Sequence, residues 1–99
     1  MAVSIVYIYI GVLAKKFSLM IAIKEYITVD KDIQFGKPVF KGTRVPVESL
    51  IDHLEQGITI DEFLEDFPTV QKEQAIAVLE IANKLLMSGN IEKFYETIA

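Results

Sequence analysis

The stretch FGKPVFKGTRVPV, residues 35–47, lies at the junction between a strand-like part and a helical part of the chain. It holds two of the three prolines and two of the five glycines, residue types that restrict or free the backbone. Pro38 favours an extended conformation at the residue before it, and Pro46 suits the first turn of a helix. We expect a strand at 39–41 and a tight turn at 42–43. The stretch is therefore either a demanding corner of the fold or a binding edge.

Length and composition indicate one globular domain. The 99 residues are 52% hydrophobic and 24% charged, with no cysteine, which excludes disulfides and thiolate metal sites and fits a cytoplasmic protein. The net charge of −4 is uneven, because residues 23–47 carry five basic against three acidic residues, whereas residues 48–99 carry three lysines against eleven acidic residues. Strong non-specific binding to nucleic acid needs clustered Lys and Arg. Any DNA contact must therefore be local.

Residues 1–19 form an extension of doubtful status. Their apolar run is too short for a transmembrane helix, and their positive charge follows the run rather than preceding it, unlike a secretory signal. We therefore expect no membrane association. The extension is either the product of a mis-called start, in which case Met20 is the true start, or a dispensable segment. The alternatives are an extra strand and an interface segment.

Residues 20–46 read as a short β-strand region and residues 47–99 as a helical part of the same domain. The segment 21–29 is rich in β-branched and aromatic residues, which predicts one or two strands. A polar turn follows, and residues 33–35 are expected to pair back on the first strand.

Apolar residues at i, i+3, i+4 and i+7 predict four helices after the corner. The first spans 47–56 and stops at Gly57, and the second follows a capping box at 59–62. The third spans about 71–87, and Asn90 caps a short fourth helix. The residues predicted to face the core are Val47, Leu50, Ile51, Leu54, Ile60, Phe63, Leu64, Phe67, Ala75, Ile76, Leu79, Ala82, Leu85 and Leu86.

The sequence carries no pattern typical of an active site. His53 is the one histidine and has no second His or Cys with which to share a metal. The carboxylates of Asp61, Glu62 and Glu65, followed by Asp66, sit early in a helix, where the helix dipole favours negative charge. No phosphate loop, nucleophile elbow or HExxH pattern is present. We therefore expect no catalytic residue, metal or cofactor, and predict that the chain is not an enzyme.

The second and third helices have the spacing of a helix-turn-helix. In that motif the N-terminal residues of the second helix face base edges, where Gln can bond adenine and Lys can reach guanine or phosphate. The residues at that position are Thr69, Gln71, Lys72 and Gln74. A plain helical bundle whose helix begins with polar residues fits the same sequence.

Residues 36–47, GKPVFKGTRVPV, resemble the signature of the uncharacterised-domain family four-three-three, and the similarity extends over about 26–86. The resemblance implies a fold that is mainly α with a small N-terminal β region, a homeodomain-like helix-turn-helix of three to four helices. Many members of that family are regarded as antitoxins of VapB type, encoded beside a PIN-like ribonuclease toxin. Gln71 departs from the family, which usually has Thr or Ser opening the third helix. Thr69 is then expected to cap that helix and shift its start.

By this resemblance the chain is a non-enzymatic antitoxin of a type II toxin–antitoxin pair, which binds a PIN-like toxin and, as a homodimer, its own operator DNA. Lys37, Lys41 and Arg44 would contact phosphate or acidic partner groups, and the start of the third helix would contact bases. The alternative is a structural or protein-interaction module of the same fold without DNA binding. From the residues alone, we expect Arg44 to bond internally to Glu48 or Asp52.

The final helix is the candidate element for binding the toxin or forming the dimer. Its apolar stripe consists of Ile91, Phe94, Tyr95 and Ile98. An amphipathic helix of this kind binds partners by laying its apolar face into a groove. The competing interpretation is that the helix docks onto the protein's own core.

Overall fold

The fold is mainly helical, with a two-stranded sheet near its start, as the sequence predicted. The computed structural model describes residues 17–98. Helix α1 covers 17–26 within that range. The elements that follow are β1 (Ile27–Thr28), β2 (Val39–Phe40), α2 (Val47–Glu55), α3 (Ile60–Asp66), α4 (Lys72–Leu86) and α5 (Asn90–Ile98). Among the described residues, no helix is both long and apolar enough to cross a membrane.

Helix α1 corrects the strand predicted at 21–29, of which only β1 is extended as a strand. Leu19, Ala22, Ile23 and Tyr26 follow the spacing i, i+3, i+4 and i+7, and these four side chains are half-buried while the other side chains of α1 are exposed. The apolar period of a helix thus prevails over the β-branched composition of this segment. The possible roles of the extension concern residues outside the described range, apart from 17–19, which are helical.

The sheet is a single antiparallel pair that orders the corner. Ile27 lies opposite Phe40, and Thr28 lies opposite Val39. Val39 also forms an isolated antiparallel bridge with Pro46 at the entry to α2. The chain therefore folds back on both sides of β2 within a few residues.

The tight turn predicted at 42–43 is confirmed. The Thr43 amide donates to the Phe40 carbonyl at 3.0 Å, and the Thr43 hydroxyl donates to the same carbonyl at 2.8 Å. That hydroxyl also accepts from the Val45 amide at 3.1 Å. Gly42 has a φ of 79°, which glycine adopts without the steric cost of a Cβ.

The core lies where β2 meets α2, α3 and α4. Phe63 is fully buried, with its ring centroid 6.1 Å from that of Phe40 and 5.0 Å from that of Phe67. Ile60 and Leu64 pack against this cluster, which confirms the apolar stripe of α3. The buried residues of the cluster are Phe40, Leu50, Phe63, Val70, Ala75 and Val78.

The buried face of α4 differs from the predicted one. Val78 and Ile81 are buried in addition to Ala75, whereas Leu85 and Leu86 are exposed, and Ile76, also predicted as core, is exposed too. For Leu85 and Leu86 the reason is length, because α4 has 15 residues and α3 only 7. At about 1.5 Å per residue, α4 extends about 12 Å beyond what α3 can cover. Ile76 lies near the start of α4, next to the buried Ala75, but on the exposed face of the helix.

Helices α3 and α4 follow each other across a short connection and contact each other, and α3 has a capped start. The Thr59 amide donates to Glu62 Oε2 and the Glu62 amide donates to Thr59 Oγ1, both at 3.2 Å, which confirms the capping box. Gln71 is the N-cap of α4, so the expected shift of the cap to Thr69 is wrong.

Candidate functional site

The apolar stripe of α5 is exposed instead of docked on the core. The exposed fraction rises from 50% at Ile91 to 68% at Phe94, 74% at Tyr95 and 85% at Ile98. All four fall on one helical face by their spacing. The structure therefore contradicts the interpretation that α5 docks onto the protein's own core.

The exposed stripe of α5 continues onto the end of α4. Leu85, Leu86 and Met87 are exposed there, and α5 contacts α4 after a short turn. The Ser88 hydroxyl donates to the Leu85 carbonyl at 2.7 Å and helps to close that turn. We call these residues the C-terminal apolar surface: Leu85, Leu86, Met87, Ile91, Phe94, Tyr95 and Ile98. Exposed apolar patches of this kind mark interaction sites on soluble domains.

The first turn of α4 is partly committed to internal contacts. Gln74 Oε1 accepts from the Gln71 amide at 3.0 Å, and Gln74 Nε2 donates to the Lys41 carbonyl at 3.0 Å. Lys72 Nζ lies 3.2 Å from Asp61 Oδ1, with both side chains largely exposed. Gln74 thus bridges α4 to the corner, whereas Lys72 belongs to a surface ion pair that contributes little to stability.

The corner lysines also have intramolecular partners. Lys37 Nζ donates to Glu48 Oε1 at 2.7 Å, and Lys41 Nζ donates to the Lys24 carbonyl at 3.3 Å. The hydrogen bond and the negative charge of Glu48 raise the pKa of Lys37. Within the described residues, no ion pair joins Arg44 to Glu48 or Asp52, so the internal bond expected for Arg44 is wrong. Lys37 takes that carboxylate instead.

A cavity of about 560 Å³ lies between the corner and the turn before α4. Its lining residues are Thr28, Ile33, Gly42, Thr43, Arg44, Val45 and Thr69. Two of the predicted DNA-contacting residues, Arg44 and Thr69, are thus brought to one cavity. The residues of the signature stretch form much of its wall, which sequence reasoning missed because the cavity depends on the fold-back of β1 and β2.

The segment 34–36 is a left-handed turn, not the predicted pairing with the first strand. Gln34 and Phe35 have φ values of 49° and 58°, and Gly36 has a φ of 87°. The Gly36 amide donates to the Ile33 carbonyl at 3.1 Å. Phe35 is 97% exposed at the tip of this turn. No signal in the sequence indicated it, because glutamine and phenylalanine are poor residues for positive φ.

His53 has structural partners, one of which is the carboxylate of Asp66. His53 Nδ1 lies 2.6 Å from the Ser49 carbonyl oxygen, and its ring meets Phe63 and Phe67 edge-on. His53 Nε2 lies 3.5 Å from Asp66 Oδ2. In residues 17–98, no three His, Cys, Asp or Glu side chains are grouped in a way that could hold a metal ion.

The family model and the solved structure that match this chain name the same family. The model of the family described as a protein of unknown function, DUF433, matches residues 27–82. The uncharacterised protein y4eO of Sinorhizobium fredii is 36% identical over 53 residues, which are 54% of this chain but 24% of that protein. The crystal structure of a DUF433 member from Anabaena variabilis superposes with a TM-score of 0.57 at 18% identity, over 83% of this chain and 81% of the other. At 18% identity, this likeness shows a shared fold and nothing more.

Proposed function

The chain belongs to the DUF433 family, and we propose that it is a non-enzymatic antitoxin whose α5 binds a PIN-like ribonuclease toxin. The observation that carries this proposal is the exposed apolar stripe of α5. Helices that dock into a groove use anchors at i, i+3, i+4 and i+7, and α5 has a large apolar side chain at each of these positions. The toxin class follows from the family resemblance.

The size of the stripe indicates how much of the C-terminal apolar surface takes part. Burying the remaining exposed part of each α5 anchor is worth about 1–2 kcal/mol, so four anchors give about 4–8 kcal/mol. Association itself costs about 4–15 kcal/mol in lost freedom. The α5 stripe alone therefore supports weak binding, and tight binding requires the end of α4 to be covered as well.

The second half of the proposal is that a homodimer binds operator DNA through the first turn of α4. Lys72 and Gln71 are the residues we assign to this contact. The ion pair of Lys72 with Asp61 is exposed, so exchanging the carboxylate for a phosphate costs little. Gln74 is tied to Lys41 and takes no direct part.

Titration calorimetry with the product of the neighbouring reading frame tests the toxin half. If that product is a PIN-like ribonuclease, we expect binding by the wild type and a loss of about 30-fold or more for Phe94→Ala, the effect of removing a hot-spot aromatic. Glu92→Ala, a change of an exposed polar residue on the same helix, is the matched control. Equal affinity of the two variants would contradict the assignment of the α5 stripe.

A gel shift with the upstream region across a salt series tests the DNA half. Specific binding should weaken with salt and fall for Lys72→Ala, while Lys84→Ala, at the opposite end of α4, behaves as wild type. Weak, sequence-independent and salt-insensitive binding would favour the alternative function, a protein-interaction module that does not bind DNA. The acidic excess of residues 48–99 and the internal contacts of Lys37, Lys41 and Gln74 support that second candidate.

A further inference from the structure

The left-handed turn at 34–36 is unfavourable for its sequence. Two consecutive residues with a Cβ, Gln34 and Phe35, have positive φ. A left-handed conformation brings the Cβ close to the following carbonyl oxygen, which is why such turns are usually built from Asn and Gly. A bulky residue there is an outlier that the surrounding structure must impose.

Short-range hydrogen bonds impose this backbone. Asp30 Oδ1 accepts from the Asp32 amide at 2.9 Å, and the Asp30 carbonyl accepts from the Ile33 amide at 2.9 Å. The Lys37 amide then donates to the Gln34 carbonyl at 3.2 Å. The turn is thus fixed on both sides of its tip.

The fixed turn presents Phe35 to solvent. Its 97% exposure is the highest among the large apolar side chains that the structure describes as exposed. The Phe35 side chain therefore gains no packing energy within the chain that would offset the unfavourable φ of its backbone. Aromatic side chains, phenylalanine among them, are enriched at protein interfaces relative to the rest of the surface.

The cavity at the corner is the candidate receptor for this aromatic side chain. The cavity wall includes Ile33, two residues before Phe35, and Val45. Arg44 also lines it and has no hydrogen bond or ion pair within residues 17–98. A wall of two aliphatic residues and three threonines beside a guanidinium can take an aromatic ring, because Arg is attracted to the ring face.

We propose that Phe35 of one copy of this chain inserts into the Arg44-lined cavity of a second copy, and that the second copy returns the contact. A two-fold contact requires anchor and receptor on the same surface of each protomer. Phe35 lies two residues along the chain from Ile33 in the cavity wall, so anchor and receptor are adjacent on each protomer. This inference goes beyond the proposed toxin binding and does not depend on it, since it leaves α5 uncovered.

The expected dimer is weak. Two inserted phenylalanines bury about 150–250 Å² each, and their cavities add a comparable area. The total lies below the roughly 1,200 Å² typical of stable complexes. Association should therefore depend on protein concentration, and on further contacts such as a shared operator for its strength.

Sedimentation velocity of the full chain over roughly 10 μM to 1 mM tests the proposal. We expect the wild type to self-associate and both Phe35→Gly and Phe35→Ala to weaken association by about 30-fold. Arg44→Ala should weaken it from the receptor side. Phe17→Ala, which removes another exposed phenylalanine, is the matched control and should associate as wild type.

The glycine variant separates a lost contact from a damaged fold. Glycine adopts positive φ readily, so Phe35→Gly should unfold at a Tm equal to or above that of Phe35→Ala. A wild type that stays monomeric throughout the series, or Phe35 variants that associate unchanged, would overturn the proposal. A loss of toxin binding by Phe35→Gly with unchanged self-association would also overturn it, and would assign Phe35 to the toxin.

Discussion

Replacing Gln74 with alanine tests whether the first turn of α4 is built for structure or for reading bases. The substitution removes two hydrogen bonds, the one accepted from the Gln71 amide and the one donated to the Lys41 carbonyl, both at 3.0 Å. At about 0.5–1.5 kcal/mol for each bond, the loss is about 1–3 kcal/mol. Alanine returns a few tenths of a kcal/mol through its helix propensity. We therefore expect a net loss of about 1–2 kcal/mol.

Urea denaturation measures this loss, and two further variants show its origin. Gln74→Glu keeps an acceptor for the Gln71 amide but loses the donor to Lys41, so it should fall between wild type and alanine variant. Glu80→Ala, at an exposed position of the same helix, should stay within about 0.5 kcal/mol of wild type. A Gln74→Ala protein with wild-type stability and no operator binding would refute this reasoning and return Gln74 to the DNA-contacting set.

Three other predictions follow from the core, the caps and the charges. Phe63→Ala should lower the free energy of unfolding by about 3–5 kcal/mol in urea denaturation, because it leaves a cavity at the centre of the aromatic cluster; a loss below 1 kcal/mol would contradict its central place. Thr59→Ala should cost about 1 kcal/mol in the same assay, and an unchanged midpoint would mean that the capping box adds nothing. The pKa of Tyr26 is raised above 10.0, first by the charge of Glu25, then by burial and by Glu73, whose Oε1 accepts from the phenol at 3.3 Å. The phenol's contribution to stability is therefore present below pH 10 and is lost as the pH rises through the higher folded value; in an NMR titration Glu25→Gln should lower the pKa of Tyr26, and no change would exclude that cause.

The helical part of the fold could be predicted because its signals are local. The stripe of α3 and the capping box at 59–62 depend on spacing within a few residues, and both are present as expected. Gly42 likewise predicted the tight turn at 42–43. The face of α4 could be predicted less well, since burial of Leu85 and Leu86 depends on how far a neighbouring helix reaches.

The misplaced features depend on contacts between distant residues. The β-branched and aromatic residues of segment 21–29 predict a strand where the end of α1 lies, although Leu19 and Ile23 have a helical spacing across the boundary at Met20. The partner of Glu48 is Lys37 and not the nearer Arg44, because the corner turns the chain back on itself. The same fold-back creates the cavity and frees Arg44 to line it.

In the candidate site, too, local patterns could be predicted from the sequence, whereas contacts between distant residues could not. The stripe on α5 was visible as a pattern, but only the structure distinguishes a docked helix from an exposed one. The sequence did not indicate the internal hydrogen bonds of Lys41 and Gln74, because a polar side chain near a helix start can bond a base edge or a neighbouring carbonyl equally well.

Inhibition of the toxin is the most direct test of the proposed function. A purified PIN-like ribonuclease from the neighbouring reading frame should cleave RNA alone and lose that activity when one equivalent of the wild-type chain is added. Phe94→Asp places a charge in the centre of the α5 stripe and should not inhibit, while it keeps the circular dichroism of the wild type. Glu92→Gln should inhibit fully. If Phe94→Asp inhibits as well as the wild type, or the wild type fails to inhibit at saturating concentration, α5 is not an antitoxin's binding helix.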